Sequence, residues 1–267
     1  MVVVRDRAYP DSDLVPQAPA RHPAVHHAGE DAKPLVEAEI PLHAVVFIVG
    51  SPLHLFIARR VPLLEDAFQW PPERLAFVPF HTDPRFVVDD YGPDEGFVMA
   101  AGRTFRDYAT LVEAFEGLDV PLVIVASPSN PGLSNLTRSV TLKYDLPGPE
   151  LAALMSRSLV VALPLESRQI SIGQSVLLQA MAMGKPVIVT KVNGTEDYVE
   201  HMRTGILVPP NDQGALREAV VMLVRDAGLR ERLGRAALDR VKQQHLPQHY
   251  ADGVSRRLRR RSGGARH

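Results

Sequence analysis

The chain contains 267 residues, of which 45% are hydrophobic and 23% charged, and its formal net charge is -1. This is the composition of an ordinary globular protein, and the near-neutral charge argues against nucleic-acid binding because no overall positive field attracts phosphates. The absence of cysteine excludes disulfides, thiolate nucleophiles and cysteine-ligated zinc. No apolar run suits a signal peptide or the roughly 20 residues of a membrane span, so we expect a cytoplasmic protein.

Residues 1–35 are expected to form a disordered leader. Prolines and charged residues are frequent there, and no hydrophobic period is sustained. The stretch contains His22, His26 and His27, but without a rigid element nothing fixes the geometry of metal ligands. No metal site is therefore expected.

From about residue 44, short apolar runs rich in β-branched residues alternate with helical patterns. Strands are predicted at residues 44–49, 75–78, 97–101, 121–126, 159–163, 187–190 and 206–208. Their apolarity is continuous rather than alternating, which is typical of strands that helices cover on both faces of a parallel sheet.

Helices are predicted between these strands at residues 107–115, 149–155, 174–183 and 214–224. After the last strand, apolar residues recur every four positions at Leu229, Leu233, Ala237 and Val241, which predicts a helix packed on the body. The alternation predicts an α/β fold with a Rossmann-like doubly wound parallel sheet from about residue 95 to 245. Such sheets bind ligands at the carboxyl ends of their strands, so chemistry is expected in the loops that follow them.

Common nucleotide-binding and hydrolase motifs are absent from the sequence. There is no G-x-G-x-x-G and no G-x-S-x-G, and Gly184-Lys185 is followed by Pro186 instead of the Ser or Thr of a phosphate loop. Dinucleotide, P-loop and triad-hydrolase functions are therefore not predicted.

The first strand of the domain continues into AAGRTFRDYATLVEAF, where Gly102 allows a tight turn and Arg103 and Arg106 precede a helix. Two guanidinium groups at the carboxyl end of a strand suit a diphosphate, because each offers forked donors and stays charged. The alternative is that both are surface arginines paired with Asp107 or Glu113, since structural ion pairs are common. The segment by itself leaves both interpretations open.

The segment SIGQSVLLQAMAMGKPVIVT predicts a helix that begins near Gln174. Ser171 and Gln174 have the spacing of a capping box. The free amide groups of the first turn, which includes Ser175, favour an anion where Gly173 has no side chain to block a phosphate. Gln179 lies two turns into the helix on an otherwise apolar face, so it either bonds backbone or faces the site.

The loop of residues 191–212 is expected to form one wall of the same crevice. It begins with the turn Asn193-Gly194. Thr195 is predicted to cap a helix within the loop, and Asp212 is predicted to cap the helix that follows the loop.

In this order, the segments resemble the carboxy-terminal half of the family 4 glycosyltransferases, which have the GT-B fold of two facing Rossmann-like domains. AAGRTFRDYATLVEAF resembles the family's Gly-Arg, basic residue and helix ending in Glu-Ala. VTLKYDLPGPELAALMSRSLVVALPL resembles its strand, helix with Glu-Leu and buried strand. QAMAMGKPVIVTKVNGTEDYVEHMRTGILVPPND resembles its Glu-Ala-Met-Ala-x-Gly-x-Pro-Val-Ile stretch and the loop after it.

The resemblance covers about residues 95–245, and residues 43–87 resemble the last two strands of the amino-terminal domain and the linker. It implies a leader (1–35), a remnant of the amino-terminal Rossmann-like domain with the linker (36–94), a nucleotide-sugar-binding domain (95–247) and a terminal helix with a basic tail (248–267).

The resemblance implies a glycosyltransferase that takes a UDP- or GDP-sugar as donor and needs no cofactor or metal. Arg103 and Arg106 would neutralise the departing nucleoside diphosphate as the glycosidic bond breaks. The implied donor-binding residues are Gly102, Ser171, Gly173, Gln174, Ser175 and Gln179. The family pattern also implies retention of configuration, with the leaving phosphate helping to deprotonate a glycan or lipid-linked acceptor in polysaccharide biosynthesis.

The chain departs from the family at two site positions, because the family's pair of glutamates falls on Ser171 and Gln179. A hydrogen bond to a charged group contributes about 1.5–3 kcal/mol and a neutral one about 0.5–1.5 kcal/mol, so Gln179 is expected to keep nucleotide binding at roughly a tenfold loss. Ser171 is shorter and uncharged, which changes the expected contact with the donor sugar.

A second departure is length, since a GT-B enzyme needs two domains of about 150 residues each. We expect the acceptor-side domain to be mostly missing because the chain is truncated, starts at a wrong codon or is completed by a separate acceptor-domain subunit. The alternative to an enzyme is a noncatalytic nucleotide-sugar-binding module or a subunit of a split glycosyltransferase. A third hypothesis is a nucleotide-sugar epimerase of similar fold.

The tail SRRLRRRSGGARH concentrates arginines. One interpretation is a solvated, frayed end. The other is peripheral contact with an anionic inner membrane surface, to which each arginine would contribute about 1 kcal/mol.

Overall fold

A computed structural model describes residues 47–49, 53–56, 75–87, 93–133, 136–168 and 171–262. All of them belong to one compact unit, residues 43–267. The leader predicted at residues 1–35 lies outside the described residues. The predicted domain boundaries stay predictions.

Three short strands form a small sheet: β1 (Phe47–Val49), β2 (Leu53–Phe56) and β3 (Leu75–Phe77). The first two are antiparallel, and β2 and β3 are parallel. The sequence predicted β1 and β3 with slightly longer bounds. It missed β2, because His54 interrupts a run of only four residues.

Six parallel strands form the main sheet in the order β6-β5-β4-β7-β8-β9. They are β4 (Val98–Ala101), β5 (Leu122–Ala126), β6 (Val140–Tyr144), β7 (Val160–Leu163), β8 (Val187–Thr190) and β9 (Ile206–Val208). The chain starts in the middle of the sheet, reaches one edge at β6 and returns to build the other half. The switch point therefore lies between β4 and β7, where doubly wound sheets bind ligands.

The helices are α1 (Tyr108–Ala114), α2 (Gly148–Arg157), α3 (Gln174–Ala182), α4 (Gln213–Arg225), α5 (Ala227–Gln244) and α6 (Pro247–Ser262), with a 3-10 helix at Pro84–Phe86. Hydrogen bonds to local capping side chains determine where several of these helices begin. Asp107 accepts a hydrogen bond from the Thr110 amide, and Asp212 accepts one from the Ala215 amide at 2.8 Å, as predicted for Asp212.

The central strands are buried along their whole length, which matches their continuous apolarity. Met99 and Val161 point to one face and pack with α3, whereas Val98 and Val160 point to the other face with α1 and α4. Both faces are therefore covered by helices, and the predicted doubly wound α/β fold is confirmed. Strand β6 was not among the strands predicted from apolar runs, because it lies at the edge and its residues are half-buried or exposed.

Helix α5 buries the predicted stripe. Leu229 and Leu233 belong to the core on one face of the sheet, and Ala237 and Val241 to the core on the other. The residues of this four-residue period thus pack into the cores on both faces of the sheet.

The residues that precede the domain meet the end of α5 at what we call the junction, formed by residues 78–82, Tyr198 and residues 245–250. The Thr82 amide donates to the His245 carbonyl at 2.9 Å, and the Phe80 amide donates to the Tyr198 hydroxyl at 3.0 Å. Nδ1 of the His245 ring lies 3.1 Å from the Phe80 carbonyl, and this ring is buried.

Candidate functional site

Three loops meet at the switch point, and we call the space between them the crevice. Their described residues are 102–107 after β4, 164–168 and 171–173 after β7, and 190–195 at the end of β8. The first two pair like short antiparallel strands at Arg106 and Leu165. The Asp107 amide donates to the Pro164 carbonyl, and the Glu166 amide donates to the Phe105 carbonyl, each at 3.1 Å. The loops are therefore held together by backbone bonds.

Arg106 lies inside the crevice rather than on its surface, with 5% of its area exposed. Its Nε donates to the Ala101 carbonyl at 3.1 Å and its Nη1 to the Thr104 carbonyl at 2.9 Å. Burial lowers the pKa of this guanidinium. No carboxylate of the described residues forms an ion pair with it, and Nη2 has no acceptor among them. A buried cation with a spare donor favours an anionic ligand.

Gly102 is required by the position of the Arg106 guanidinium. Its φ is +143, and a Cβ added there would lie 2.2 Å from Nε of Arg106. Any side chain at this position would displace the buried guanidinium. The glycine predicted for the turn therefore serves close approach as well as backbone freedom.

Arg103 follows the same strand but turns to the opposite side. Its Nε lies 3.2 Å from Oδ1 of Asp145, which follows β6, and 58% of its side chain is exposed. The structure therefore does not bring the two guanidinium groups together at α3. The predicted alternative, pairing with Asp107 or Glu113, is also not observed, because Asp107 caps α1 instead.

The amino-terminal end of α3 is open, on the other side of the crevice. Gly173 precedes the helix with φ +87. The Leu165 side chain lies so close to it that a Cβ added at Gly173 would be 3.2 Å from Cδ2 of Leu165. The first bonded amide is that of Leu177, which donates to the Gly173 carbonyl. Within the described part of the chain, the amides of Gln174, Ser175 and Val176 have no acceptor, so the helix end favours an anion.

The predicted capping box is wrong. The Gln174 side chain donates to the Ser171 hydroxyl, so the hydroxyl accepts from a side chain and not from a helix amide. Both residues are buried, and Gly173 occupies the capping position. The physical reason is that the left-handed glycine starts the helix two residues after Ser171, which places the serine outside the first turn.

Gln179 lies on the least buried stripe of α3, together with Ser175 and Val176. The expectation of an apolar face is wrong, because Leu178 and Met181 point into the core and Gln179 does not. Its side chain has no hydrogen bond with the described residues. This stripe starts at the open helix end, where Ser175 is exposed, and Gln179 lies one turn further along it.

The third loop is a series of turns and contains no helix for Thr195 to cap. The Thr195 hydroxyl accepts from the Val192 amide at 3.0 Å and donates to backbone carbonyls, which closes a buried turn. The predicted cap is therefore wrong. Nδ2 of Asn193 reaches the Arg168 carbonyl at 3.4 Å, which joins this loop to the one after β7.

Sequence reasoning missed a stacked pair in the crevice. The Arg168 guanidinium lies 5.0 Å from the ring centroid of Phe105 and also pairs with Glu166. Phe105 has φ +52, a rare conformation for an aromatic residue. The only signal in the sequence for this contact was the position of Arg168, which follows β7 just as Arg103 follows β4.

The part of the chain that the structure describes lacks two other features, a metal cluster and a membrane-spanning helix. No group of three or more His, Cys, Asp or Glu side chains there is placed to hold a metal ion. No helix in the described ranges has the length and apolarity needed to cross a membrane.

The switch point of this doubly wound sheet thus holds a buried arginine and an open helix end, two features that favour an anionic ligand. Residues 98–226, slightly less than half of the chain, match the family described as glycosyl transferases group 1.

Two relatives illustrate the match. The chain is 35% identical over 173 residues to the D-inositol 3-phosphate glycosyltransferase of Pseudarthrobacter chlorophenolicus, a region that is 57% of this chain and 40% of the relative. It is 29% identical over 159 residues to the D-rhamnosyltransferase WbpZ of Pseudomonas aeruginosa, 57% of this chain and 42% of the relative. The chain thus spans less than half the length of each.

Solved structures share the fold. Sucrose-phosphate synthase from Thermosynechococcus elongatus superposes with a TM-score of 0.65 at 22% identity, covering 79% of this chain and 58% of that one. HepE of Anabaena, solved in complex with UDP-glucose, gives a TM-score of 0.61 at 17% identity, covering 76% of this chain and 63% of that one.

Proposed function

We propose that the crevice binds a nucleoside-diphosphate sugar and that the protein transfers the sugar to an acceptor hydroxyl. The observation that carries the proposal is the buried Arg106 guanidinium, which has no carboxylate partner among the described residues. Arg106 pairs with Leu165 in the loop that precedes the open end of α3. The family match over residues 98–226 supports sugar transfer. HepE, which shares its fold, binds UDP-glucose and supports a UDP-sugar donor.

Arg106 and the amides at the start of α3 would bind the diphosphate. Leaving-group charge grows on the phosphate as the glycosidic bond breaks, so fixed donors stabilise the transition state more than the ground state. Arg106 is already held by two carbonyls, so little reorganisation is needed. Burial strengthens its attraction for phosphate, because little water screens the charge.

Arg103 would join the diphosphate after leaving Asp145. Both side chains of this pair are about half exposed, and exposed pairs contribute about 0–1 kcal/mol. A charge-assisted hydrogen bond to phosphate contributes about 1.5–3 kcal/mol. The exchange of partners is therefore favourable once the donor is bound.

Retention of configuration is the finer part of the proposal and is taken from the family resemblance. In that mechanism the leaving phosphate removes the acceptor proton, so no side-chain nucleophile is required on this half. A glycan or lipid-linked acceptor, an acceptor-domain subunit and membrane contact through the basic tail are further proposals that the resemblance and the sequence support. The structure places residues 247–262 in α6, and residues 263–267 lie outside the described part.

The test is titration of the protein with UDP, GDP and their sugars, followed by melting temperature and by calorimetry. Arg103→Ala is expected to weaken binding about three- to tenfold, because one exposed charged bond is lost. Arg157→Ala is the matched control: it removes an arginine of similar exposure that pairs with Glu95 at 2.9 Å, before the amino end of β7.

The control is expected to bind like the wild type. If no nucleoside diphosphate raises the melting temperature of the wild type, the proposed function is wrong. Binding without sugar transfer, even with an acceptor-domain partner added, would support the noncatalytic module instead. Conversion of the sugar without an acceptor would indicate an epimerase.

A further inference from the structure

Five consecutive carbonyl groups, at the end of β4 and in the loop after it, accept hydrogen bonds from the protein. The carbonyls of Ala101 and Thr104 accept from Arg106, as described above. The Gly102 carbonyl accepts from the Tyr108 hydroxyl at 2.8 Å. The Phe105 carbonyl accepts from the Glu166 amide at 3.1 Å.

The fifth carbonyl, that of Arg103, is held by Asn130. Nδ2 of Asn130 donates to it at 2.9 Å across a sequence separation of 27 residues. With this bond, five consecutive carbonyls each have a donor. Over the ranges that the structure covers, the amides of Arg103 and Thr104 have no acceptor. Because the neighbouring carbonyls are occupied and these two amides are free, this part of the loop offers positive dipole ends to a ligand.

Asn130 is fixed in the orientation that this bond requires. Its side-chain Oδ1 accepts from the backbone amide of Ser127 at 2.8 Å, and its backbone amide donates to the Ser127 carbonyl at 3.0 Å. The oxygen of the side-chain amide therefore faces a donor, and the nitrogen must face the Arg103 carbonyl. The turn after β5 thus positions the loop after β4.

We propose that Asn130 is a positioning residue for the diphosphate of the donor. By holding the Arg103 carbonyl away from the crevice, it keeps the Arg103 and Thr104 amides turned toward the phosphates. This inference rests on the proposed function. Asn130 touches the loop and not the ligand, so its effect on binding is transmitted through the backbone.

Asn130 can be changed without altering the core or the binding groups, because it is only half-buried. Asn130→Asp keeps an oxygen for the Ser127 amide but places a second oxygen against the Arg103 carbonyl. The two oxygens repel, which favours rotation of that peptide and turns its carbonyl toward the crevice. Ser129→Asp is the matched control, since it adds the same charge one residue away on an exposed side chain.

The experiment measures the dissociation constants of UDP and UMP by calorimetry and the melting temperature without ligand. Asn130→Asp is expected to weaken UDP about tenfold relative to Ser129→Asp. The loss for UMP is expected to be smaller, and the ligand-free melting temperatures of the two variants are expected to agree. A merely structural role would lower the melting temperature and weaken both nucleotides alike.

The inference is overturned if the wild type binds UDP and the two variants bind it equally well, or if UDP and UMP lose affinity by the same factor. Asn130→Ala, which only deletes the donor, replaces Asn130→Asp if the latter does not fold, and a loss of about threefold for UDP is then expected. A wild type that binds neither UDP nor GDP overturns the proposed function itself, and the inference with it.

Discussion

The crevice and the junction both bury polar groups under loops, but the spare groups in the two regions have opposite character. In the crevice the spare groups are donors: Nη2 of Arg106 and the amides that start α3 have no acceptor among the described residues. At the junction they are imidazole nitrogens, because Nε2 of His245 and Nδ1 of His81 are buried without a partner among those residues.

The difference indicates what each region is for. Spare donors around a buried charge create a site that gains stability from an anion. A neutral imidazole that donates from Nδ1 to the Phe80 carbonyl needs no ligand, and burial lowers the pKa of His245 to about 4. We therefore expect the ligand in the crevice, as proposed above, and a contribution to stability from the junction.

The largest effect is expected when the buried charge of the crevice is removed. Arg106→Met is expected to weaken UDP more than about fiftyfold, since two or more charge-assisted bonds are lost. Stability should change little, because removal of a desolvated charge offsets the loss of donors to two carbonyls. Calorimetry and melting temperature measure the two effects separately.

Arg240→Met is the control for that variant. Arg240 is also largely buried, and its Nε has no partner among the described residues, but its charge pairs with Glu200 and its Nη2 donates to the Asp197 carbonyl at 3.0 Å. We expect a lower melting temperature and unchanged UDP binding. The reverse pattern in either variant would contradict the division between binding and support.

The second prediction concerns pH at the junction. The pKa of His245 is about 4 in the folded protein and about 6.5 when unfolded, so the unfolded state binds more protons between these values. Stability is therefore complete above about pH 6.5 and decreases as the pH falls toward 4, by about 3 kcal/mol from this group. Burial also lowers the pKa of His81, which adds to the trend.

Urea unfolding at several pH values tests this prediction. His245→Asn keeps a donor for the Phe80 carbonyl but removes the titration, so the decrease between pH 6.5 and 4 should become shallower. A variant with the same slope as the wild type would show that other groups control the acid sensitivity. Nucleotide affinity at neutral pH is expected to be the same in both proteins.

The smallest expected effect comes from the Arg103–Asp145 pair. Asp145→Asn removes the carboxylate that competes with phosphate for Arg103, so UDP affinity should rise about two- to fivefold, the range of an exposed ion pair. Added salt should reduce the difference, because exposed charges are screened. A decrease in affinity would indicate that Asp145 itself helps to bind the donor.

Local chemistry made much of the fold predictable. The continuous apolar runs of β4, β7 and β8 and the capping aspartate Asp212 act over a few residues, so sequence spacing was sufficient. The family resemblance is supported by the match of residues 98–226 to glycosyl transferases group 1. These features do not depend on which distant segments meet.

The site was less predictable because its contacts are long-range. The burial of Arg106 depends on pairing with Leu165, and the direction of Arg103 depends on Asp145, 42 positions along the chain. The capping box failed because a left-handed Gly173, supported by Leu165, starts α3 later than Ser171. Spacing alone does not encode these pairings.

Leu165 has a consequence for redesign of this domain. Its backbone pairs with Arg106, its amide donates to the Thr190 hydroxyl at 2.9 Å, and its side chain lies beneath Gly173. One buried residue thus ties the ends of three strands to the start of α3. Grafting a foreign loop onto one strand end would disturb the other two, so a change of ligand preference is better sought by exchanging the three loops as a set.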